Sequence, residues 1–450
     1  MSVLDGAAST ELTAQQRRWV DSATAAIDDD LLRSLVIGMV NQPSPTGEEA
    51  SLARWLTAQM RARGLQADYQ PIDDGQGNAL GRVHGDGTGA DLLLYAPIDT
   101  LTDGDAAQDV PWIGPELRPD MCAQATEIGD HITGLGASNP KGHGACVIAA
   151  ADAVRRAGVP LCGELLIGLG AGGMPTNRRD APGQSRHNAG QGSGCSFMLE
   201  QGFWADYAVI AKPGWAVAWE EVGLCWFEIV VHGTFSYVGS RHRMHYRNPI
   251  VDAAIVVQAI EEWLPEYSAR HTDGLVSPQG NIGWIRGGWQ RTSSLSPAAC
   301  RLGLDLRISP RTTPMQARAE FAEAMRRLRA AHPGLEFSWQ MALAIPGTRT
   351  DPDSFIIRAA VQAWEDLTER SHEPIVANSG ATDANILRSR GIPTARIGMD
   401  RIGEDAPMQL DFPAGMNCVD LREMRRLTSH LVHTIVNICT RGGAREGVIA

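Results

Sequence analysis

Apolar residues recur at helical spacing over residues 46–64, TGEEASLARWLTAQMRARG, and predict an amphipathic helix that Gly64 stops. Thr46 and Glu49 stand three apart at its start, the spacing of a capping box. The run LLLYA (92–96) predicts a short buried strand, GACVIAAADAVRRAG (144–158) a helix, and GELLIGLG (163–170) another strand. That alternation implies an α/β fold with a mostly parallel sheet flanked by helices. From about residue 222 the pattern changes to separate strands (WFEIVVHG, GNIGWIRGG, CRLGLDLRI) and two helices (PIVDAAIVVQAIEEWL, TPMQARAEFAEAMRRLRAAH). This reads as an inserted α+β module. The α/β rhythm resumes with SFIIRAAVQAWEDL (354–367) and ends in the helix RRLTSHLVHTIVNIC (425–439). The expected division is therefore 1–219 and 343–450 for the two parts of the α/β domain, and 220–342 for the insertion.

Residues 171–194, AGGMPTNRRDAPGQSRHNAGQGSG, break the rhythm and predict a long loop, a type of segment that in compact domains often serves function. Pro97 is the other interruption. It has no N–H for a ladder, so it belongs at a strand's end, and it leaves Asp99 at the edge where open α/β sheets place ligands.

Composition narrows the function. A net charge of −12 argues against a nucleic-acid-binding surface. The most apolar stretch, 145–154, is too short to span a bilayer and contains Asp152. The start shows no basic region followed by an apolar one, so no secretory signal is expected. Eight cysteines lie at 122, 146, 162, 195, 225, 300, 418 and 439 without a C-x-x-C pair, which fits reduced thiols in a cytoplasmic protein.

Several ordered blocks resemble the zinc-dependent amidohydrolase and exopeptidase family that includes acetylornithine deacetylase, succinyl-diaminopimelate desuccinylase and carboxypeptidase G. They are NQPSPTGEEA, LLLYAPIDTL, LGASNPKGHGA, LGAGGMP, ADYAVIAKPG, HGTFSYVG, GGWQRTSSLSP with LDLRISP, and SGATDANILRSRGIPT. The resemblance runs over nearly the whole chain. It implies a zinc-exopeptidase-like catalytic α/β domain, an inserted α+β lid and dimerisation domain, a homodimer, and a small substrate bearing a carboxylate.

The resemblance also implies where the family's two zinc ions would be held, and there the chain departs from it. The first His position is Pro97, the bridging Asp is Asn139, and the paired glutamates, general base included, fall on Gly172 and Gly173. The second acid is Lys212 and the late His falls on Pro413. Zinc takes imidazole, carboxylate or thiolate donors, and none of these positions keeps one. An ammonium repels a dication in a low-dielectric pocket. The expectation is a divergent member with no metal and no other cofactor.

Four residues are candidates for chemistry in the vacated pocket. Lys212 is either a surface lysine at a strand end or the cation that replaces the metal's charge; with a lowered pKa it would serve as base or Schiff-base nucleophile. Asp99 is its expected counter-ion, or else a turn cap. Asn139 matches the lost Asp in shape and can still hydrogen-bond. Tyr237 replaces the lid His, as an oxyanion donor or as a packed aromatic. Arg307, Ser294, Lys141 and Gly380 are candidate substrate contacts, with Arg307 suited to a carboxylate and Lys141 placed before a helix where an anion is favoured. His143 is expected to be structural or exposed, and Cys195 a buried thiol. Arg178, Arg179, Arg186 and His187 of the long loop are a solvated charge run or capture an anionic substrate.

Three functions follow in order. The first is a metal-independent enzyme on a C–N or related bond, acting by hydrolysis or by another Lys-assisted step such as decarboxylation or deamination. The second is a non-catalytic binding or regulatory homologue. The third is a zinc hydrolase with ligands relocated to His143, His187, Glu220 or Glu221.

Overall fold

The computed structural model describes residues 8–179, 186–400, 402 and 406–442. The first residues of the chain and positions 180–185 of the long loop lie outside them. Two compact units form: Met1–Trp219 with Thr350–Pro374 and Thr382–Ala450, and Glu220–Arg349 with Ile375–Ala381. The second unit thus runs beyond residue 342 and takes in a later segment, whose Asn378 bridges to Val276.

The first unit is built on β1 (Gln66–Pro71), β2 (Gly77–Val83), β3 (Leu92–Pro97), β4 (Leu165–Gly170), β5 (Tyr207–Ala211) and the strand Thr394–Ile397, in the order β1-β2-β4-β3-β5-Thr394–Ile397. β3, β4, β5 and Thr394–Ile397 are parallel, while β1 and β2 join antiparallel, so the sheet is mixed. β3, β4 and β5 are buried throughout, which is why their sequences run apolar instead of alternating with polar residues.

Their side chains still divide by parity. Leu92, Leu94 and Ala96 pack into a core with the helices Ala50–Ala62, His143–Arg156, Phe355–Thr368 and Leu421–Cys439. Leu93 and Tyr95, with Ala208 and Ile210 of β5, pack on the opposite face against Ser193–Glu200 and Ala384–Ser389. Each fully buried aliphatic side chain contributes roughly 1.5–3 kcal/mol relative to exposure.

The helix Ala50–Ala62 begins later than the capping-box spacing of Thr46 and Glu49 implied, with Glu49 and not Thr46 as its cap residue. Its cap residue Glu49 makes no side-chain cap bond. Thr46 and Glu49 turn inward instead, so the capping box expected from their spacing does not form. Gly64 does end this helix, at φ +74°.

The second unit is a four-stranded antiparallel sheet of β6 (Gly223–His232), β7 (Gly280–Gly287), β8 (Ala299–Ile308) and β9 (Phe337–Ile345), ordered β7-β8-β6-β9. The helices Pro249–His271 and Pro314–Ala331 cover one face through Val256, Ile260, Trp263, Phe321 and Met325. Most of the apolar surface of Pro249–His271 is thereby used within its own unit. All eight cysteines are free thiols, six of them buried. Among the described residues no helix is long and apolar enough to cross a membrane.

Candidate active site

At the C-terminal ends of β3 and β5, the chain gathers Pro97, Asp99, Asn139, Gly172, Gly173 and Lys212. The N–H of Lys212 donates to the Ile397 carbonyl at 3.0 Å, carrying the ladder one residue past β5. Its Nζ lies 3.2 Å from Asn139 Oδ1 and 4.0 Å from Met174 Sδ, and the residue is 5% exposed. Asn139 reaches it because its backbone is extended (φ −120°, ψ 111°) within an otherwise helical turn, Ala137–Gly142. The structure therefore brings Lys212 and Asn139 together in the interior.

Asp99 is fully buried. It accepts from Thr46 Oγ1 at 2.6 Å, from the Gly173 N–H at 2.7 Å and from the Met174 N–H at 2.9 Å. Burial raises its pKa, opposed by those donors and by the nearby charge of Lys212. Beside it lies Glu49, also fully buried, which accepts from the N–H groups of Gly47 at 3.0 Å and Gly172 at 2.9 Å and from Gln76 Nε2. Burial, then the charge of Asp99, pushes Glu49 up to about 8.

Lys141 is in a different setting from the anion-binding loop end expected of it. It is fully buried, its Nζ donates to the Gln42 carbonyl at 3.0 Å, and burial lowers it to about 7. His143 is structural. Its Nε2 accepts from the Met399 N–H at 3.2 Å, so Nδ1 carries the proton and donates to the Ser138 carbonyl at 2.7 Å. Burial holds it neutral, down to about 3. The Cys195 thiol is buried and raised well above its ordinary value by that burial. Arg178 sits on the Gly47 carbonyl and Asp73, and Arg179 on Glu48 at 2.8 Å and Asp103 at 3.1 Å. Arg186 lies 3.6 Å from Asp73, and His187 is exposed.

Tyr237, Ser294, Arg307 and Gly380 belong to the second unit. There Tyr237 pairs with Leu295, and the Val238 N–H donates to the Ser294 carbonyl at 2.8 Å, so Tyr237 and Ser294 are neighbours. Tyr237 is exposed; Arg307 pairs with Asp305 at 3.0 Å; the exposed Gly380 donates to Asn378 Oδ1 at 2.9 Å. Glu220 accepts from the Leu275 N–H and pairs with Arg311 at 2.9 Å, and Glu221 is buried.

The positions corresponding to the family's zinc ligands do not fit a metal, and the backbone shows why. Gly172 has φ +64°, and a Cβ there would overlap the Ala189 carbonyl oxygen. A Cβ at Gly173 would overlap the Pro97 ring. The loop cannot carry the glutamate pair, and Pro97 fills space beside it. Pro413 is the second residue of a short helix, Phe412–Met416, capped by Asp411. Among the described residues no group of three or more His, Cys, Asp or Glu is placed to hold a metal ion.

Two buried residues that local sequence pattern does not single out, Asp383 and Tyr95, lie beside the Gly173 turn. Asp383, 3% exposed, accepts from Tyr95 OH at 2.6 Å, and Tyr95 is fully buried on β3. A readable signal existed. Buried tyrosines need a partner, and Gly168 and Gly170 on the neighbouring strand leave room for this ring: a Cβ at either would collide with it. Lysine usage is a second signal. Lys141 and Lys212 are the only lysines in 450 residues, so 38 of the 40 Lys and Arg are arginine. Both lysines are buried.

The fold is similar to that of solved M20 family metallopeptidases, as the motif blocks implied. The M20 family metallo-carboxypeptidase Sso-CP2 of Sulfolobus solfataricus matches with a TM-score of 0.64 at 14% identity, over 90% of this chain and 98% of that one. The di-peptidase Dug1p of Saccharomyces cerevisiae matches with a TM-score of 0.69 at 12% identity, over 93% and 98%. In sequence, the chain is 22% identical over 438 residues to the N-formyl-4-amino-5-aminomethyl-2-methylpyrimidine deformylase of Bacillus subtilis (strain 168), covering 91% of this chain and 94% of that protein. No family model matches the chain.

Proposed function

We propose that the chain is an amidohydrolase-type enzyme that cleaves a C–N bond of a small carboxylate-bearing amide without a dizinc centre. Lys212 supplies the positive charge at the acyl oxygen. One observation carries the reading: in a chain that uses arginine for nearly every cation, a lysine is kept buried against Asn139 at the ligand-binding edge of the sheet. An ammonium is compact and donates from a point, as a vacated metal position requires; a guanidinium is a planar fork. Water adds to the acyl carbon and the C–N bond breaks. The amine leaves with a proton, and the charge developing on the acyl oxygen is met by the ammonium in a site of low dielectric. Asp99 anchors the Gly173–Met174 turn and adds negative potential beside the amine. Tyr237, Arg307 and Ser294 remain, through the resemblance, candidate contacts for the substrate. The formylated-pyrimidine relative and the di-peptidase neighbour support the choice of bond.

The second reading, a binding homologue without turnover, is favoured by Gly172 and Gly173, which leave no general base in the loop. A panel of N-formyl and N-acyl amines and amino acids, followed by mass spectrometry, separates the two. Release of amine that is lost in Lys212→Met supports the enzyme. Saturable melting shifts with no product from any compound support the binder.

A further inference from the structure

We infer that Asp383, held by Tyr95, is the acidic partner that keeps Lys212 an ammonium, an inference that rests on Lys212 being the working cation of the pocket. Asp383 stands at the start of the helix Ala384–Ser389 but makes no cap bond. Its carboxylate is turned instead to Tyr95 OH, 2.6 Å away in the interior. A phenol donating to the charged form of a carboxylate favours that form.

Three placements bring this carboxylate to Lys212. A Cβ built on Gly173 would lie 2.9 Å from Asp383 Oδ2 and would collide with Pro97, so the carboxylate and the proline ring flank Gly173. Tyr95, which pairs with Ile210, stands two residues before Pro97, as Ile210 stands two residues before Lys212. Met174, the residue after Gly173, holds its sulfur 4.0 Å from Lys212 Nζ. The acid and the amine thus approach the Gly173–Met174 turn from neighbouring positions. Parity agrees: Ala208 and Ile210 share a cluster with Tyr95 and with Ala384 and Leu387 of the helix that Asp383 precedes.

Other polar groups face the pair. Lys212 also faces Asn139, the neutral His143 and Asp99, and Asp383 also faces the Cys195 thiol. Asp99 already serves Thr46 and two backbone N–H groups, which divides its charge among them. The consequence is chemical. A lysine paired with a buried carboxylate keeps its proton, so Lys212 acts as a charged hydrogen-bond donor and not as an amine nucleophile or Schiff-base former.

The lysine count makes the test direct. Protein grown on lysine labelled with carbon-13 at Cε gives two side-chain signals, from Lys141 and Lys212, assigned by Lys212→Met. Their shifts are followed across pH. In Asp383→Asn the Lys212 midpoint should fall by about one pH unit or more. Asp99→Asn should lower it less, and the Lys141 midpoint should stay where it is. Tyr95→Phe keeps both charges and should move the Lys212 midpoint in the same direction by a smaller amount; it carries the test if Asp383→Asn does not fold. An unchanged midpoint in Asp383→Asn, or a larger fall in Asp99→Asn, overturns the pairing. If Asp383→Asn is not recoverable, an unchanged midpoint in Tyr95→Phe does so. Because no turnover is read, a shifted midpoint in a protein inactive on every amide leaves the pair standing and removes only the enzyme reading.

Discussion

Glu49 and Asp99 divide between them the consecutive N–H groups of Gly172, Gly173 and Met174: Glu49 takes the first, and Asp99 the other two. Where the resemblance places metal-binding glutamates on this turn, here the turn carries no carboxylate and is held from below by two. Two buried acids close enough to feel each other's charge disfavour double ionisation, so the turn's supports are sensitive to protons.

That sensitivity has a sign. Glu49 is raised from 4.5 to about 8 in the fold by burial and by Asp99. Between those values the folded protein holds a proton that the unfolded chain has released, so stability falls as pH rises. The contribution is fully present below about pH 4.5 and is lost as pH passes through about 8. Glu49→Gln should therefore flatten the decline in melting temperature between pH 5 and pH 9. At the alkaline end it should exceed the parent by an amount on the order of 1–3 kcal/mol. A parent whose melting temperature is level over that range would show that Glu49 is ionised in the fold.

Metal analysis tests the donor set. Protein purified without chelator should contain far less than one zinc per chain, and chelator should leave its melting temperature unchanged. Restoring carboxylate to the turn should not help: Gly172→Glu forces a side chain at φ +64° against the Ala189 carbonyl and should cost about 2–4 kcal/mol without recruiting zinc. Two tightly bound zinc ions per chain would revive a hydrolase with relocated ligands.

How much of this was legible in the sequence depends on the range of each interaction. The βαβ run, the inserted sheet with its two helices, and the Pro97 strand end follow from local pattern. The motif blocks placed Lys212 and Asn139 in one pocket. What local pattern misread was Thr46 and Glu49, whose spacing suits a helix cap but whose side chains are claimed by Asp99, 53 positions after Thr46, and by the Gly172 N–H, 123 positions after Glu49. Asp383 was hidden for the same reason: its partner Tyr95 is 288 positions earlier. Lys141 looked like an anion-binding loop residue because nothing in SNPKGHG reveals that Gln42 will lie across it.

Assembly is expected through the second unit. Its edge strand β7 shows Trp284 at 42% and Ile285 at 53% exposure, and Ile250 and Val251 of the helix Pro249–His271 are 43% and 61% exposed. An exposed apolar edge strand is a pairing template, and a twofold dimer would cover it. The full chain should sediment as a dimer at micromolar concentration, and Trp284→Lys with Ile285→Glu should convert it to a folded monomer whose lower melting temperature no longer depends on concentration. A parent chain that is monomeric under those conditions would end the expectation.

The decisive variant is Lys212→Met. Losing the ammonium removes a buried charge and its desolvation cost, while Asn139 Oδ1 loses a donor 3.2 Å away and Asp99 loses a favourable neighbour. Because Asp383 is also left as a buried carboxylate without its cation, Lys212→Met should cost about 3–5 kcal/mol, and Lys212→Met combined with Asp383→Asn should cost less. Function should not survive. The acyl oxygen would meet a thioether where it needs a positive donor, and loss of such a donor typically costs about 10²–10³ in rate. Lys212→Arg should fail as well, for a different reason: the charge is kept, but the fork is too large for a site bounded by Asn139 and Met174 Sδ at 4.0 Å. A site needing only positive charge would tolerate arginine; a site needing a compact donor would not. Asp99→Asn should cost stability through the Gly173–Met174 turn and reduce turnover less than Lys212→Met, because its role is to hold the turn. Turnover and ligand affinity retained in Lys212→Met would move the chemistry to another part of the molecule.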